Sequence, residues 1–177
     1  MDFFEVVEHR RSLRKFAERK VEDETINKIM DAVLKAPSSK NTRSSKFIVV
    51  RDRDMLRKIA AMRDAGSAFV ADAPVGIIVA GDKEATDLWV DNAAISATFM
   101  QLAAEAAGLG SCWVHINGRP HNHTDASQGT AEDYLRTIMP IPENWGLLCI
   151  VAMGYSPYDI VKPRTAEDDS DKVRYIG

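Results

Sequence analysis

The stretch from Asp87 to Ala107 constrains this chain more than any other. It reads as one helix of about six turns at 3.6 residues each. Its apolar positions include Ala93, Ala94, Ile95, Ala97, Phe99, Met100, Leu102, Ala103, Ala104, Ala106 and Ala107, which cover nearly the whole circumference. A helix that is apolar on every side belongs in a core or an interface, because no face of it suits water. Gly108 and Gly110 punctuate its end.

Four runs have strand character: Lys46 to Arg51, Val75 to Ala80, Ser111 to Ile116 and Gly146 to Tyr155. The second is almost continuously apolar, the pattern of a strand covered on both faces. Shorter helices are expected from Asp2 to His9 with Asp2 as cap, and from Glu24 to Lys35 behind Asp23. Ile26, Ile29, Met30, Val33 and Leu34 form the stripe of the second, and Pro37 ends it. Two more are expected from Asp54 to Met62 and from Ala131 to Met139, the latter stopped by Pro140 and Pro142. This order gives an α+β fold: a central mixed, largely antiparallel sheet of four or five strands flanked by helices.

A chain of 177 residues with 45% hydrophobic content fits one domain, residues 1–177, and buries enough surface to fold without a disulfide or structural metal. The tail after Tyr155 is polar, yet Val173, Tyr175 and Ile176 alternate with Arg174 as in a strand. Residues 156–177 are therefore expected to be a C-terminal extension that packs on another subunit. A net charge of −3 gives no basic excess for nucleic acid. No apolar run reaches 18 residues, and the first residues lack a signal-peptide pattern. A cytoplasmic protein without membrane contact is expected. Cys112 and Cys149, both in apolar runs, read as reduced core thiols.

Four constellations carry possible chemistry. Arg10-Arg11-Ser12-Leu13-Arg14 clusters three guanidinium groups and a hydroxyl, donors that suit a phosphate; alone, such a cluster is equally a solvated basic loop. Pro37-Ser38-Ser39-Lys40-Asn41 offers small polar groups, either to a ligand or only to a turn. Gly108-Leu109-Gly110-Ser111-Cys112-Trp113 allows close approach by another backbone or a flat ligand, or simply caps a helix. It is not a dinucleotide fingerprint, because its glycines follow a helix instead of opening one. Lys162-Pro163-Arg164 holds two cations near the end. His121, His123 and Asp125 lack the usual ligand spacing, so a polar surface loop is expected there and no metal.

Taken in order and spacing from Phe3 to Arg164, these motifs resemble the nitroreductase family. The resemblance implies an interlocked homodimer with two FMN sites at the subunit interface. Arg10, Arg11, Ser12 and Arg14 would then hold the phosphate and the pyrimidine edge of the flavin. Pro37, Ser38, Ser39 and Asn41 would reach it from the other subunit. Trp113, Val114, His115 and Ile116 would lie along it with backbone groups near N5, and Lys162 and Arg164 would complete the phosphate site. Arg14 is the expected cation beside the N1–C2 edge. Thr42-Arg43-Ser44-Ser45 departs from the family's usual continuation, and His115 and Ile116 stand where many members have glycine. The implied function is electron transfer from NAD(P)H through FMN to nitro compounds, quinones or similar acceptors by a ping-pong cycle, with no catalytic side chain. The alternatives are a dehalogenase, enone reductase or flavin-destroying enzyme of the same superfamily, or a non-catalytic FMN-binding protein.

Overall fold

The computed structural model describes residues 1–158 and 169–177. Among the described residues there are five α-helices: α1 Phe3–His9, α2 Asp23–Val33, α3 Arg53–Ala60, α4 Trp89–Ala106 and α5 Ala131–Ile138. The strands are β1 Ser45–Val50, β2 Val75–Asp82, β3 Gly110–His115 and β4 Trp145–Gly154. They form one sheet in the order β1-β2-β4-β3, with every neighbouring pair antiparallel. The fold is α+β, as the sequence implies. The expected mixed character reduces to one parallel bridge, Ser12 to Ser111, outside the four strands.

The two middle strands explain why the sheet needs cover on both sides. From Val75 to Gly81 every residue of β2 is buried, as is β4 from Gly146 onward. On one face Leu56 and Ile59 of α3 and Leu135 of α5 pack against Ile78, Leu147 and Ile150. On the other, Ile29 and Val33 of α2 and Ala97 and Met100 of α4 pack against Ile77, Val79 and Val151. Each large side chain buried here contributes about 1.5–3 kcal/mol.

Capping chemistry sets the helix starts. Asp2 and Glu5 close a capping box at α1, and Thr130 and Asp133 do so at α5. Asp52 caps α3 by accepting from the Met55 N–H, so the helix starts at Arg53, one residue before the expected Asp54. In α2 Asp23 occupies the first turn instead of the cap, and the helix ends at Val33, before Leu34 and Pro37. There Asp23 acts through its charge near the positive helix end.

The long helix is covered on one side only. Ala93, Ala97, Met100 and Ala104 are buried against the sheet, while Ile95 and Phe99 are exposed by 36% and 37%. The first helix, α1, which packs on α4, also exposes Phe3, Phe4 and Val7. The expected strand near the C-terminus does not form within the chain: Ser170–Lys172 is a single 3-10 turn, and Tyr175 and Ile176 are exposed. Extended backbone needs an edge to pair with, and the described C-terminal residues pair with none of the four strands of the chain. No described helix is long and apolar enough to cross a membrane.

Candidate functional site

The segment after α1 runs alongside β3. Its anchor is the Leu13 N–H, which donates to the Ser111 carbonyl at 2.9 Å. Gly110 makes this approach possible: a Cβ there would lie 2.3 Å from Leu13 Cδ2. Preceding it, Gly108 has φ +78°, the left-handed turn that ends α4. The glycine pair thus serves as helix stop and as docking floor for the basic segment.

Along this segment Arg10 and Arg14 have no carboxylate partner among the described residues. The Arg14 guanidinium lies 6.0 Å over the Phe69 ring. Arg11 is committed to the protein, donating to the carbonyls of Glu8 at 2.6 Å and Arg10 at 2.9 Å. Ser12 is exposed on the bridge to Ser111.

Beyond Ser111 the outer edge of β3 is open. The Ser111 carbonyl points away from β4, so by strand alternation Trp113 and His115 also turn their N–H and C=O groups outward. Ile116 shows the opposite phase, donating to Leu148 of β4. Of the four residues expected along the flavin, Trp113 and His115 therefore face the free edge. Val114 and Ile116 are buried in the core and turn to the sheet.

The Trp113 and His115 rings stack at 6.1 Å, and the indole N–H donates to His115 Nδ1 at 3.3 Å. That bond requires Nδ1 to be unprotonated. Burial holds the His115 pKa below its ordinary value, and the Arg119 and Arg63 charges add to this. Arg63 also donates to the His115 carbonyl at 3.5 Å. The Cys112 thiol is pushed up by burial and is correspondingly inert as a nucleophile.

The polar segment after α2 is built around a residue that the sequence reading did not single out. Asn92, buried on α4, accepts from the Ser39 N–H at 2.8 Å and donates to Ser44 Oγ at 2.9 Å and Thr42 Oγ1 at 3.2 Å. Ser38 Oγ accepts from the Arg43 N–H at 2.9 Å. Between these ties Lys40, Asn41 and Arg43 all have positive φ, 48°, 53° and 49°. Such backbone is strained for residues other than glycine and persists only where surrounding bonds impose it. Pro37 and Asn41 are exposed, and Ser38 and Ser39 are half-buried. A buried asparagine in an otherwise apolar helix was the signal available in the sequence.

These two halves lie far apart. The basic segment meets β3 at Ser111, in the row of Met153 and Val75, whereas the polar loop enters β1 at Ser45, in the row of Gly81 and Gly146. Three strand spacings and six residue rises separate them, roughly 25 Å corner to corner. Lys162 and Arg164 lie outside the described residues.

The loop after β3 is fixed by histidines. His121 Nδ1 contacts the Met62 carbonyl at 2.9 Å, and its ring stacks on Tyr134 at 4.7 Å. His123 pairs with Asp64 through Nδ1 and its backbone N–H. Asp125 caps the turn at Ser127, so each of the three has a role within the protein.

The family model described as the nitroreductase family matches residues 7–63 and 56–155. A protein of Methanothermobacter thermautotrophicus, provisionally named NADH dehydrogenase/NAD(P)H nitroreductase, is 37% identical over 158 residues, 88% of this chain and 78% of the relative. One of the same name from Archaeoglobus fulgidus is 33% identical over 150 residues, 82% of this chain and 80% of the relative. Among solved structures, an FMN-dependent nitroreductase from Clostridium difficile R20291 is 36% identical. It superposes with a TM-score of 0.85, covering 97% of this chain and 98% of that one.

Proposed function

Because the chain belongs to the nitroreductase family, we propose that it is an oxidoreductase that binds FMN and carries electrons from NAD(P)H to nitro compounds, quinones or similar acceptors. The observation that carries this reading is the open edge of β3 beside Arg10 and Arg14. There, outward backbone groups of Trp113 and His115 adjoin two cations without carboxylate partners among the described residues. A flavin mononucleotide needs such a pair of features, amide donors and acceptors for its ring edge and fixed cations for its phosphate and pyrimidine.

When bound, the flavin would supply the two-electron chemistry. The chain's own part is binding and placement. Arg10 would hold the phosphate together with Lys162 and Arg164. Arg14 would set positive charge beside the pyrimidine, in a site where a sheltered charge acts more strongly than in water. Trp113 and His115 would offer their backbone groups to the ring edge. Arg11, tied to the end of α1, would act through its charge.

We further propose that the working unit is a homodimer whose sites draw on both chains. The Ser38–Asn41 segment lies about 25 Å from the basic segment of its own chain, so only a second copy can bring the two together. The exposed apolar side chains of α4, Ile95 and Phe99, and of α1, Phe3, Phe4 and Val7, give that copy apolar surface to cover.

The test is the absorption spectrum of the purified protein, before and after anaerobic NADH or NADPH, with chromatography of heat-released cofactor. FMN bands that bleach on addition of nicotinamide are expected. Released FAD, or no flavin after reconstitution with FMN, sinks the cofactor assignment. Bound FMN that neither nicotinamide bleaches leaves a binding protein and removes the enzyme.

A further inference from the structure

A second concave site lies past Arg14, at the end of the sheet where β1 finishes and β2 begins. It is a groove of about 790 Å³, within the range of small-molecule sites. Arg14, Lys15, Arg19, Lys20, Arg51 and Arg53 line it, against two carboxylates, Glu18 and Asp72.

These cations fall into two groups. Arg19 lies 3.7 Å over the Tyr155 ring and pairs with Glu22 at 2.9 Å. Arg51 pairs with Asp23 and donates to the Val21 carbonyl at 2.7 Å. Both are fixed parts of the wall. Lys15, Lys20 and Arg53 have no carboxylate partner among the described residues, and neither has Arg14. The groove therefore holds an excess of uncommitted positive charge in a chain whose net charge is −3.

The remainder of the wall is apolar: Phe16, Ala17, Pro74 and Pro157. Pro74 and Phe16 close over Gly154, where a Cβ would lie 2.5 Å from Pro74 Cγ. A wall of ring and proline surface between cations suits a flat base carrying phosphates better than a bare inorganic anion. The groove is also continuous with Arg14, the cation assigned to the flavin's pyrimidine edge.

We propose that this groove binds the phosphorylated adenosine arm of the nicotinamide dinucleotide, and that Lys20 and Arg53 favour the form carrying a 2′-phosphate. This rests on the reading of the chain as an NAD(P)H-dependent flavin enzyme. A 2′-phosphate adds about two negative charges near neutral pH, as phosphate monoesters do, so it gains most from cations that have no other partner.

The test uses the FMN-loaded protein and the double variant Lys20→Ala/Arg53→Ala. Both residues are exposed, so the variant is expected to fold, with unchanged FMN affinity as its check. Wild type should bind adenosine 2′,5′-bisphosphate saturably by calorimetry, more tightly than adenosine 5′-monophosphate or pyrophosphate. The variant should lose about five- to twentyfold of that affinity, the scale of two partly screened phosphate contacts. Its KM for NADPH should rise by a similar factor, with kcat and the KM for NADH little changed. Pyrophosphate binding as tightly as the nucleoside bisphosphate marks a nonspecific anion groove and overturns the assignment. So does wild-type binding that the variant retains in full, or no saturable binding at all. A protein that binds the bisphosphate but is not reduced by either nicotinamide retains the groove and loses the enzyme reading instead.

Discussion

Asn92 is a polar side chain 1% exposed on the most apolar helix of the molecule, and each of its atoms with hydrogen-bonding capacity is used. Replacing it by alanine strands the Ser39 N–H and the Ser44 hydroxyl. One buried unsatisfied group costs about 1–3 kcal/mol, so Asn92→Ala should lower stability by roughly 2–4 kcal/mol, read from urea denaturation. It should also release the three positive-φ residues, seen as faster amide exchange over residues 39–43. A change under about 0.5 kcal/mol would mean that water replaces all three bonds. At the other half of the site, Arg10→Ala should weaken FMN binding about ten- to a hundredfold, the worth of one charge-assisted hydrogen bond. Fluorescence titration measures it, and unchanged affinity would make Arg10 a solvated surface cation. The basic motif and the polar loop were legible because their donors recur at fixed spacing in the sequence. Asn92 was not, since one amide among alanines gives no periodic signal, and what it grips lies about fifty residues away. Nor was the division of the β3 residues into edge-facing and core-facing pairs. That depends on the phase of pairing with β4, which pattern alone leaves open.

Between elements, the contacts that matter join distant parts of the chain. Tyr155, just past β4, donates to Glu22 at the start of α2, while Arg19 stacks on the same ring. The hydrogen bond from Tyr155, then that from Arg19, lowers the Glu22 pKa from 4.5 to about 2. A carboxylate depressed in the folded state contributes stability that is complete above its unfolded pKa and is lost as pH falls through the folded one. The window here runs from about pH 5 down to about pH 2. Glu22→Gln should therefore lower the melting temperature near neutrality, and the gap from wild type should close as the pH approaches 2. A gap that stays constant across this range would show that the clasp contributes only packing. Strand and helix existence followed from periodicity throughout, from β2, buried on both faces, to the capping boxes of α1 and α5. The boundaries shifted where a cap went unread in the sequence, as with Asp52, which starts α3 at Arg53, one residue ahead of the expected Asp54. The C-terminal alternation of Val173, Tyr175 and Ile176 pairs with none of the four strands of its own chain, and a strand is defined by its neighbour, so the expected packing of residues 156–177 on a second subunit stays a proposal.

At the scale of the whole molecule, topology decides what one chain can do alone. The sheet order β1-β2-β4-β3 puts the basic segment and the polar loop at opposite edges, and antiparallel register puts them at opposite ends as well. No side-chain motion closes roughly 25 Å of packed sheet. If both segments serve one flavin, the flavin joins two chains. The exposed phenylalanines of α1 and the Ile95–Phe99 face of α4 then become interior, in an interface expected to exceed about 2,000 Å² in total, as obligate homodimers do. Light scattering should give twice the chain mass, and Phe99→Glu should shift it toward monomer with loss of bound flavin. Complementation tests the sharing itself. Arg14→Ala and Asn41→Ala chains, each inactive as a homodimer, are unfolded and refolded together. In a mixed dimer one site carries both lesions and the other carries neither, so activity should return toward half of the wild-type value per heterodimer. With random pairing half of the dimers are mixed, which sets the expected recovery at about one quarter of wild type. Heterodimers that form but recover nothing would place both segments on a single chain's flavin, and an active monomer would remove the shared site altogether.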